Sequence, residues 1–457
     1  MKTKVWLSLL LISSFLFGGC APKSEAAVSD AEAAIPMQQD TLEMMPDFSY
    51  VVTPQVPHIY IDQMGYRSQD QKVAFFLGED LEEIFTIEDV TSGEVVYSGK
   101  LHRVKDIDGK GLYTGNFEQV VTAGKYVVKH PKIGDSYEFV IKDTIYDSEF
   151  LVLQKRAKEY NYTNVSDLAY VLANMMFIEE MFDEAKTDIS FVEKNITMLL
   201  NSQDAKSGAF FSEIFTEPIV PEKTNLPGEE EKLPGTISLT TTAQMAGVLA
   251  QYSVLYKDND PVFAAQCLKV SQKAYRYMEQ YRANTDTDAW YYAAVQLYRA
   301  TGQYKYRSAI MEYDIVDPTL HTGTYQGYTI LADFAYLLTP RGTDYTRCST
   351  LLDKYMDKAQ SISIASSREN FYVPDDISTM EQNEILDDMI VLGVVNHILS
   401  GQEYAGIQRN YIHYLSGVNM QSYNYLQKDI AGIDLIVGED ITNISKLLVI
   451  FGNISES

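Results

Sequence analysis

The hydrophobic period of this chain changes once, near residue 145, from the two-residue repeat of strands to the 3.6-residue repeat of helices. Between His58 and Asp143 lie seven short runs rich in β-branched and aromatic residues: "HIYID", "KVAFFLG", "FTIEDV", "EVVYSGKL", "LYTGNFEQV", "GKYVVKH" and "SYEFVIKD". Turn signals such as Thr91-Ser92-Gly93 and Ala123-Gly124-Lys125 separate them. Short alternating strands punctuated in this way predict a β-sandwich over 58–144. From about Tyr146 apolar residues recur at helical spacing. In "PVFAAQCLKVSQKAYRYMEQY" they put Ala264, Cys267, Leu268, Ser271, Ala274, Tyr275 and Met278 on one face. The same pattern marks 148–160, 167–182, 187–202, 240–256, 288–301, 325–338, 344–361, 380–400, 403–416 and 440–452. No fixed repeat length argues for a simple solenoid. About eleven antiparallel helices fit a closed double ring over 145–457.

Charge narrows the partners. With a formal net charge of −26 the chain repels polyanions, which excludes nucleic acid and disfavours anionic polysaccharides, while neutral glycans stay open. The first twenty residues, "MKTKVWLSLLLISSFLFGGC", join a basic start to an apolar run too short to span a bilayer permanently. Their ending, Gly18-Gly19-Cys20, resembles the bacterial lipoprotein signal, which implies export and a lipidated Cys20 that holds the protein on a membrane outside the cytoplasm. Residues 21–57, low in periodicity and rich in Ala, Ser, Glu and Gln, predict a flexible tether. The two other cysteines, Cys267 and Cys348, cannot build a disulfide framework or a tetrahedral metal site, and read as buried thiols. Nothing in the residues calls for a cofactor, and a structural calcium cannot be read from them.

Several segments carry a resemblance, in one order along nearly the whole mature chain. The sandwich opens on "IYIDQMGYRSQDQKVAFF", with Asp62-Gln63-Met64-Gly65-Tyr66 and Lys72-Val73-Ala74. "LLNSQDAKSGAFFSEI", "TTTAQMAGVLAQYSVLYKDNDPVFAAQCLKVSQKAYRYME", "DTDAWYYAAVQLYRATGQYKY" and "HYLSGVNMQSY" follow. Together they resemble the family-nine glycoside hydrolases with an N-terminal immunoglobulin-like domain. The resemblance implies an immunoglobulin-like β-sandwich followed by an all-α (α/α)6 barrel with an open cleft. It further implies inverting hydrolysis of β-1,4-glucan or a related neutral oligosaccharide.

The family's two catalytic stretches map onto particular residues. Its Asp-x-Gly-Asp stretch, whose second Asp is the base, is similar to Asn164-Val165-Ser166-Asp167, so Asp167 matches the base and Asn164 replaces the first Asp. Its acid stretch is similar to "VGEDITNISKLLVIF", where Glu439 matches the acid. Tyr325 and Tyr328 are the expected sugar contacts, because the matching family segment borders the cleft. Departures are equally plain. The family's His-His-Arg loop has no counterpart in "SYNYLQKDIAGIDLIVGED", and Val418 stands where the family has an Arg. Asp167 and Glu439 are also explained by helix capping and the helix dipole. Tyrosines at helical spacing, among them Trp290's neighbours Tyr291 and Tyr292, also read as core, and His397 and His413 as packed or surface residues. A catalytically inactive glycan-binding lipoprotein on the same scaffold is therefore a second expectation, and a barrel serving protein contacts a third.

Overall fold

The computed structural model describes residues 56–182, 187–218, 235–282, 287–315, 327–366, 370–426 and 440–456. Cys20, the tether, Tyr325 and Glu439 lie outside them.

Seven strands form the N-terminal part: β1 (Ile59–Tyr60), β2 (Val73–Gly78), β3 (Ile84–Asp89), β4 (Val95–Ile107), β5 (Lys110–Asn116), β6 (Gly124–His130) and β7 (Gly134–Ile141). They hydrogen-bond in the order β1-β2-β5-β4-β3-β6-β7. The long β4 serves both layers: its first half pairs with β3 and its second half with β5. Phe85 and Ile87 face inward from β3 while Thr86 between them and Ile84 before them do not, which is the expected alternation. They meet Tyr66, Phe76, Phe117, Tyr126 and Phe139 in an aromatic core. β4 runs further than its apolar run because Asp108 and Gly109, at φ 48° and 82°, close a two-residue hairpin into β5. An Asp-Gly pair is the strongest local signal for such a turn.

The helical part begins at α1 (Ile145–Glu159) and continues with α2 (Val165–Met181), α3 (Ile189–Leu199), α4 (Leu239–Leu255), α5 (Pro261–Glu279), α6 (Thr287–Thr301), α7 (Tyr304–Met311), α8 (Tyr328–Leu337), α9 (Tyr345–Ser366), α10 (Gln382–Leu399), α11 (Ala405–Leu415) and α12 (Ile441–Glu456). Even-numbered helices pack on one another as an inner ring, α12 on α2, α2 on α4, α4 on α6, α6 on α8, and α10 on α12. Odd-numbered helices cover them: α1 lies on α12, α5 on α4, α7 on α6, and α9 and α11 on α10. Burial follows this division. α2 and α4 are buried on nearly every side, whereas α5 buries one face, Ala264, Cys267, Ser271, Ala274, Tyr275 and Met278, as its spacing predicts. Leu268 from the same predicted face is only half-buried. Burial pushes the Cys267 thiol up to about 12, so it is inert, and Cys348 is half-buried. α9 joins α8 to α10: Tyr355 donates to Asp333 of α8 at 3.0 Å and Lys358 pairs with Asp388 of α10 at 3.2 Å. A short ribbon of β8 (Phe210–Phe211) and β9 (Ile237–Ser238) leads into α4. Two-residue strands have no room to show a period, and nothing in the sequence pattern anticipates them. Among the described residues no helix is long and apolar enough to cross a membrane.

The stretch that opens the sandwich is spent on holding it to the barrel. Asp62 accepts from the Met64 and Gly65 amides at 2.7 and 3.1 Å and pairs with His413 of α11 at 2.6 Å. The Gln63 amide donates to the Ser416 carbonyl at 2.9 Å and its side chain to the Ser422 carbonyl at 2.8 Å. Tyr66 lies against the His413 ring at 5.1 Å. The fully buried Lys72 ammonium donates to the carbonyls of Ser68 and Asp70 at 2.7 and 2.9 Å, which compensates its lost hydration.

Candidate active site

The inner helices present their N-termini at one end of the ring. Ser166 near the start of α2 meets Thr241 near the start of α4 at 2.9 Å. Tyr313 bridges the first turns of α6 and α8, touching Asp288 at 3.0 Å and Thr329 at 3.2 Å. Asn443 in α12 donates to Gln382 in α10 at 3.1 Å. The positive ends of the helix dipoles therefore converge on one mouth, which favours negative charge there.

Asp167 sits at this mouth, half-buried. Its own amide is capped by the Asn164 side chain at 2.8 Å, and the Asn164 amide group donates back to Asp167 Oδ2 at 2.5 Å. The N-cap of α2 is thus Asn164, and Asp167, three residues on, accepts from its side-chain amide. The local fold places it firmly: the Val165 amide donates to the Ser212 carbonyl at 2.8 Å, and Asn164 bridges Glu213 next to the β8–β9 ribbon. The half-buried Tyr162 stands nearby; its phenol is raised by burial first, then by Tyr160 and by the Asp167 charge. Tyr162 was not expected at the site, because a tyrosine in a turn carries no pattern.

Below the mouth the inner helices exchange buried polar contacts. Lys446 of α12 and Asp387 of α10 pair at 2.7 Å with both side chains at 0 % exposure. Burial lowers the Lys446 pKa, against the opposing pull of Asp387 and Asp440. Tyr170 of α2 approaches the same pair, its hydroxyl pushed up by burial first and then by the Asp387 charge. Gly327, at φ 113°, ends directly above them; a Cβ there would stand 2.4 Å from the Tyr170 hydroxyl, so no larger residue fits. At the start of α12, Asp440 accepts from the Thr442 amide at 2.8 Å, and its charge reaches Lys446 and Tyr170. Asp440 is an exposed carboxylate that was not among the expected site residues. Among the described residues no group of three His, Cys, Asp or Glu side chains could hold a metal ion.

The structure brings Asn164 and Asp167 together and corrects one expected sugar contact. Tyr328 is only 1 % exposed. It starts α8 wedged between the rings of Tyr170 and Tyr292, at 5.2 and 4.9 Å, so it is part of the floor and presents no face to a sugar. Trp290, Tyr291 and Tyr292 are likewise buried, and Val418 is packed in the core.

The described residues form a ring of six inner and six outer helices with a carboxylate at the mouth and an immunoglobulin-like domain before it, which is the architecture of an (α/α)6 glycosidase. The family model for glycosyl hydrolase family 9 matches residues 150–428, and that for the cellulase N-terminal ig-like domain matches 55–135. The chain belongs to glycosyl hydrolase family 9. No curated protein matches it. Among solved structures, a Bacteroides ovatus family-9 protein shares 17% identity at a TM-score of 0.68, over 87% of this chain and 99% of that one. A metagenome-derived family-9 endoglucanase shares 15% identity at 0.70, over 87% and 99%. AaCel9A in complex with cellobiose-like isofagomine shares 13% at 0.69, over 88% and 100%. At such identities these likenesses speak for the fold.

Proposed function

We propose that this protein is an exported, lipid-anchored glycosidase that hydrolyses a neutral β-1,4-glucan or a related oligosaccharide with inversion. The observation that carries the reading is the Asp167 carboxylate, held at the mouth of a family-9 barrel by the neutral Asn164 amide. Inverting hydrolysis needs one carboxylic acid to protonate the leaving oxygen and one carboxylate, roughly 6.5–9.5 Å away across the sugar, to take a proton from water. Asp167 is assigned as that base and Glu439 as the acid, with Asp440 beside it as the competing candidate. Asn164 caps the helix through its Oδ1 and orients the Asp167 carboxylate through its Nδ2. The net charge of −26 favours neutral substrates. A cellobiose-like inhibitor bound to one structural neighbour supports an oligosaccharide. Cys20 is assigned as the lipidated residue; Cys20→Ala should release the protein from membranes into the soluble fraction.

Release of reducing sugar from a panel of neutral glucans tests the chemistry. Asp167→Asn and Glu439→Gln should each lose at least ~100-fold in rate, the usual worth of a general acid or base, with unchanged circular dichroism. Hydrolysis that survives Glu439→Gln but not Asp440→Asn moves the acid to Asp440. Hydrolysis indifferent to Asp167→Asn sinks the assignment. The uncharged Asn164, where the family carries an Asp, favours a second reading, a glycan-binding protein without turnover. Saturable oligosaccharide binding with no sugar released would establish it.

A further inference from the structure

Three basic side chains line one recess at the end of the barrel away from the mouth. It holds about 240 Å3 where α4 and α6 end, α5 begins and the α8–α9 connection passes, and Lys257, Arg299 and Arg341 are among its walls. Since α4 runs to it from the mouth, at 1.5 Å per residue the two lie on the order of 20 Å apart.

Such a gathering is unusual in a chain with 63 acidic and 37 basic residues, and helix ends account for only part of it. Carbonyls at a helix C-terminus carry partial negative charge and attract cations. Arg299 stands in the last turn of α6, and Arg341 Nε donates to the Arg299 carbonyl at 3.2 Å. That contact uses Nε and leaves both Nη groups of Arg341 over. Backbone contacts hold this guanidinium in place. The Tyr298 hydroxyl fixes its connection by donating to the Gly342 carbonyl at 2.9 Å, and Nη1 lies over Gly302, 2.9 Å from where a Cβ would stand. Among the described residues neither Arg341 nor Lys257 has an acidic partner.

The acids nearest these cations are engaged elsewhere. Glu180 of α2 holds both Nη groups of Arg299, whose side chain is 8 % exposed and forms a fixed wall. Asp260 caps α5, accepting from the Val262 and Phe263 amides at 3.1 and 2.9 Å. The free donors then set the class of ligand. A guanidinium fork donates to two oxygens of one carboxylate or phosphate, and an ammonium to a third as a point charge. Two unpaired cations suit a phosphate monoester, which carries about −1.5 to −2 at pH 7, better than a singly charged carboxylate. The recess is about eight times the ~30 Å3 share of one water, so it has room for a small substituent beyond the phosphate.

We propose that this recess binds the phosphate group of a phosphomonoester, with Arg341 and Lys257 as its ligands and Arg299 as the wall behind them. The site shares no residue with the mouth and stands independently of the hydrolytic assignment.

Calorimetric titration of the full chain with inorganic phosphate at low ionic strength should show saturable binding that sodium chloride of equal ionic strength does not reproduce. Arg341→Gln should weaken it at least ~10-fold and Lys257→Gln by less. Both side chains are exposed, so neither change disturbs the core. Lys155→Gln, on the exposed side of α1, removes the same charge far from the recess and should leave binding unchanged. Glycerol phosphate and phosphatidylcholine vesicles containing phosphatidic acid then separate a soluble monoester from a lipid headgroup, the tighter binder naming the source. Heat that does not saturate, binding that survives Arg341→Gln or falls equally in Lys155→Gln, or a failure of both monoester probes to bind would overturn the proposal.

Discussion

A carboxylate in the first turn of a helix invites two explanations, and at Asp167 the geometry of the cap leaves room for the second. The Asn164–Asp167 pair closes the start of α2 and in the same act holds one carboxylate oxygen. Asn164→Ala should therefore cost about 1 kcal/mol of stability, the usual worth of an N-cap, read as a lowered melting temperature, and should also lower kcat by freeing Asp167 to rotate. Asn164→Asp behaves differently. It sets two carboxylates in hydrogen-bond contact, and like charges disfavour ionisation, so one pKa of the pair rises. Since the base must be ionised to act, the acid limb of the pH–rate profile should move to higher pH; an unmoved limb would show that Asp167 is not the titrating base. The helix start at 164–167 was legible because Asn, Ser and Asp ahead of an apolar run are the ordinary residues of a cap. Tyr328 was not, because an aromatic at the start of a helix reads the same whether its ring faces a cleft or, as here, two other tyrosines.

Elements of the inner ring are joined by buried charge as well as by apolar packing. The Lys446–Asp387 pair ties α12 to α10 beneath the mouth with no exposure to water. Removing one partner strands the other, so Lys446→Met should destabilise by ~3–5 kcal/mol in urea denaturation, whereas Lys446→Met with Asp387→Leu should recover most of the loss. On the next helix, Asp333 of α8 accepts from Tyr291 at 2.8 Å and Tyr355 at 3.0 Å, and burial pushes its carboxyl up to about 7. Unfolded, the same group ionises near pH 4. Between roughly pH 4 and 7 the folded chain holds the extra proton, so stability must fall as pH rises through that window, with a slope of at most ~1.4 kcal/mol for each step of one in pH. Asp333→Asn should flatten the fall in denaturation curves taken at pH 5 and 8, and should be the more stable form at pH 8. Sequence period located the long helices of this ring, but α7, Tyr304–Met311, was missed. Eight residues are barely two turns, too few for a 3.6-residue repeat to declare itself. Nor could period show which helices exchange buried charge, since pairs such as Lys446 and Asp387 are distant in sequence.

At the scale of the whole molecule, sandwich and barrel are bound into one compact unit. The motif that marked the sandwich in the sequence owes its residues to this junction: Asp62 meets His413, Gln63 meets Ser416 and Ser422, and Arg409 of α11 lies 3.9 Å from Asp70. What the sequence could not show is the barrel's share. Phe371 reaches across to pack on Tyr60 at 5.6 Å and Phe75 at 4.9 Å, and does so at φ 58°, a left-handed backbone that costs a non-glycine residue roughly 1–2 kcal/mol. That strain persists because the ring, 5 % exposed, is buried against the sandwich. If the junction holds the two parts together, they must unfold together, and scanning calorimetry of the intact protein should show one endotherm. Phe371→Ala withdraws the aromatic contact, at a cost of ~3–5 kcal/mol for a buried Phe, and Gln63→Ala withdraws the side chain's hydrogen bond to Ser422. Carrying both, the protein should resolve into two transitions, with the sandwich, whose core is much the smaller, melting first. A double variant that still melts as a single transition would mean that the cooperativity resides elsewhere, in the Asp62–His413 pair or in α1, which runs straight out of β7 into the barrel wall.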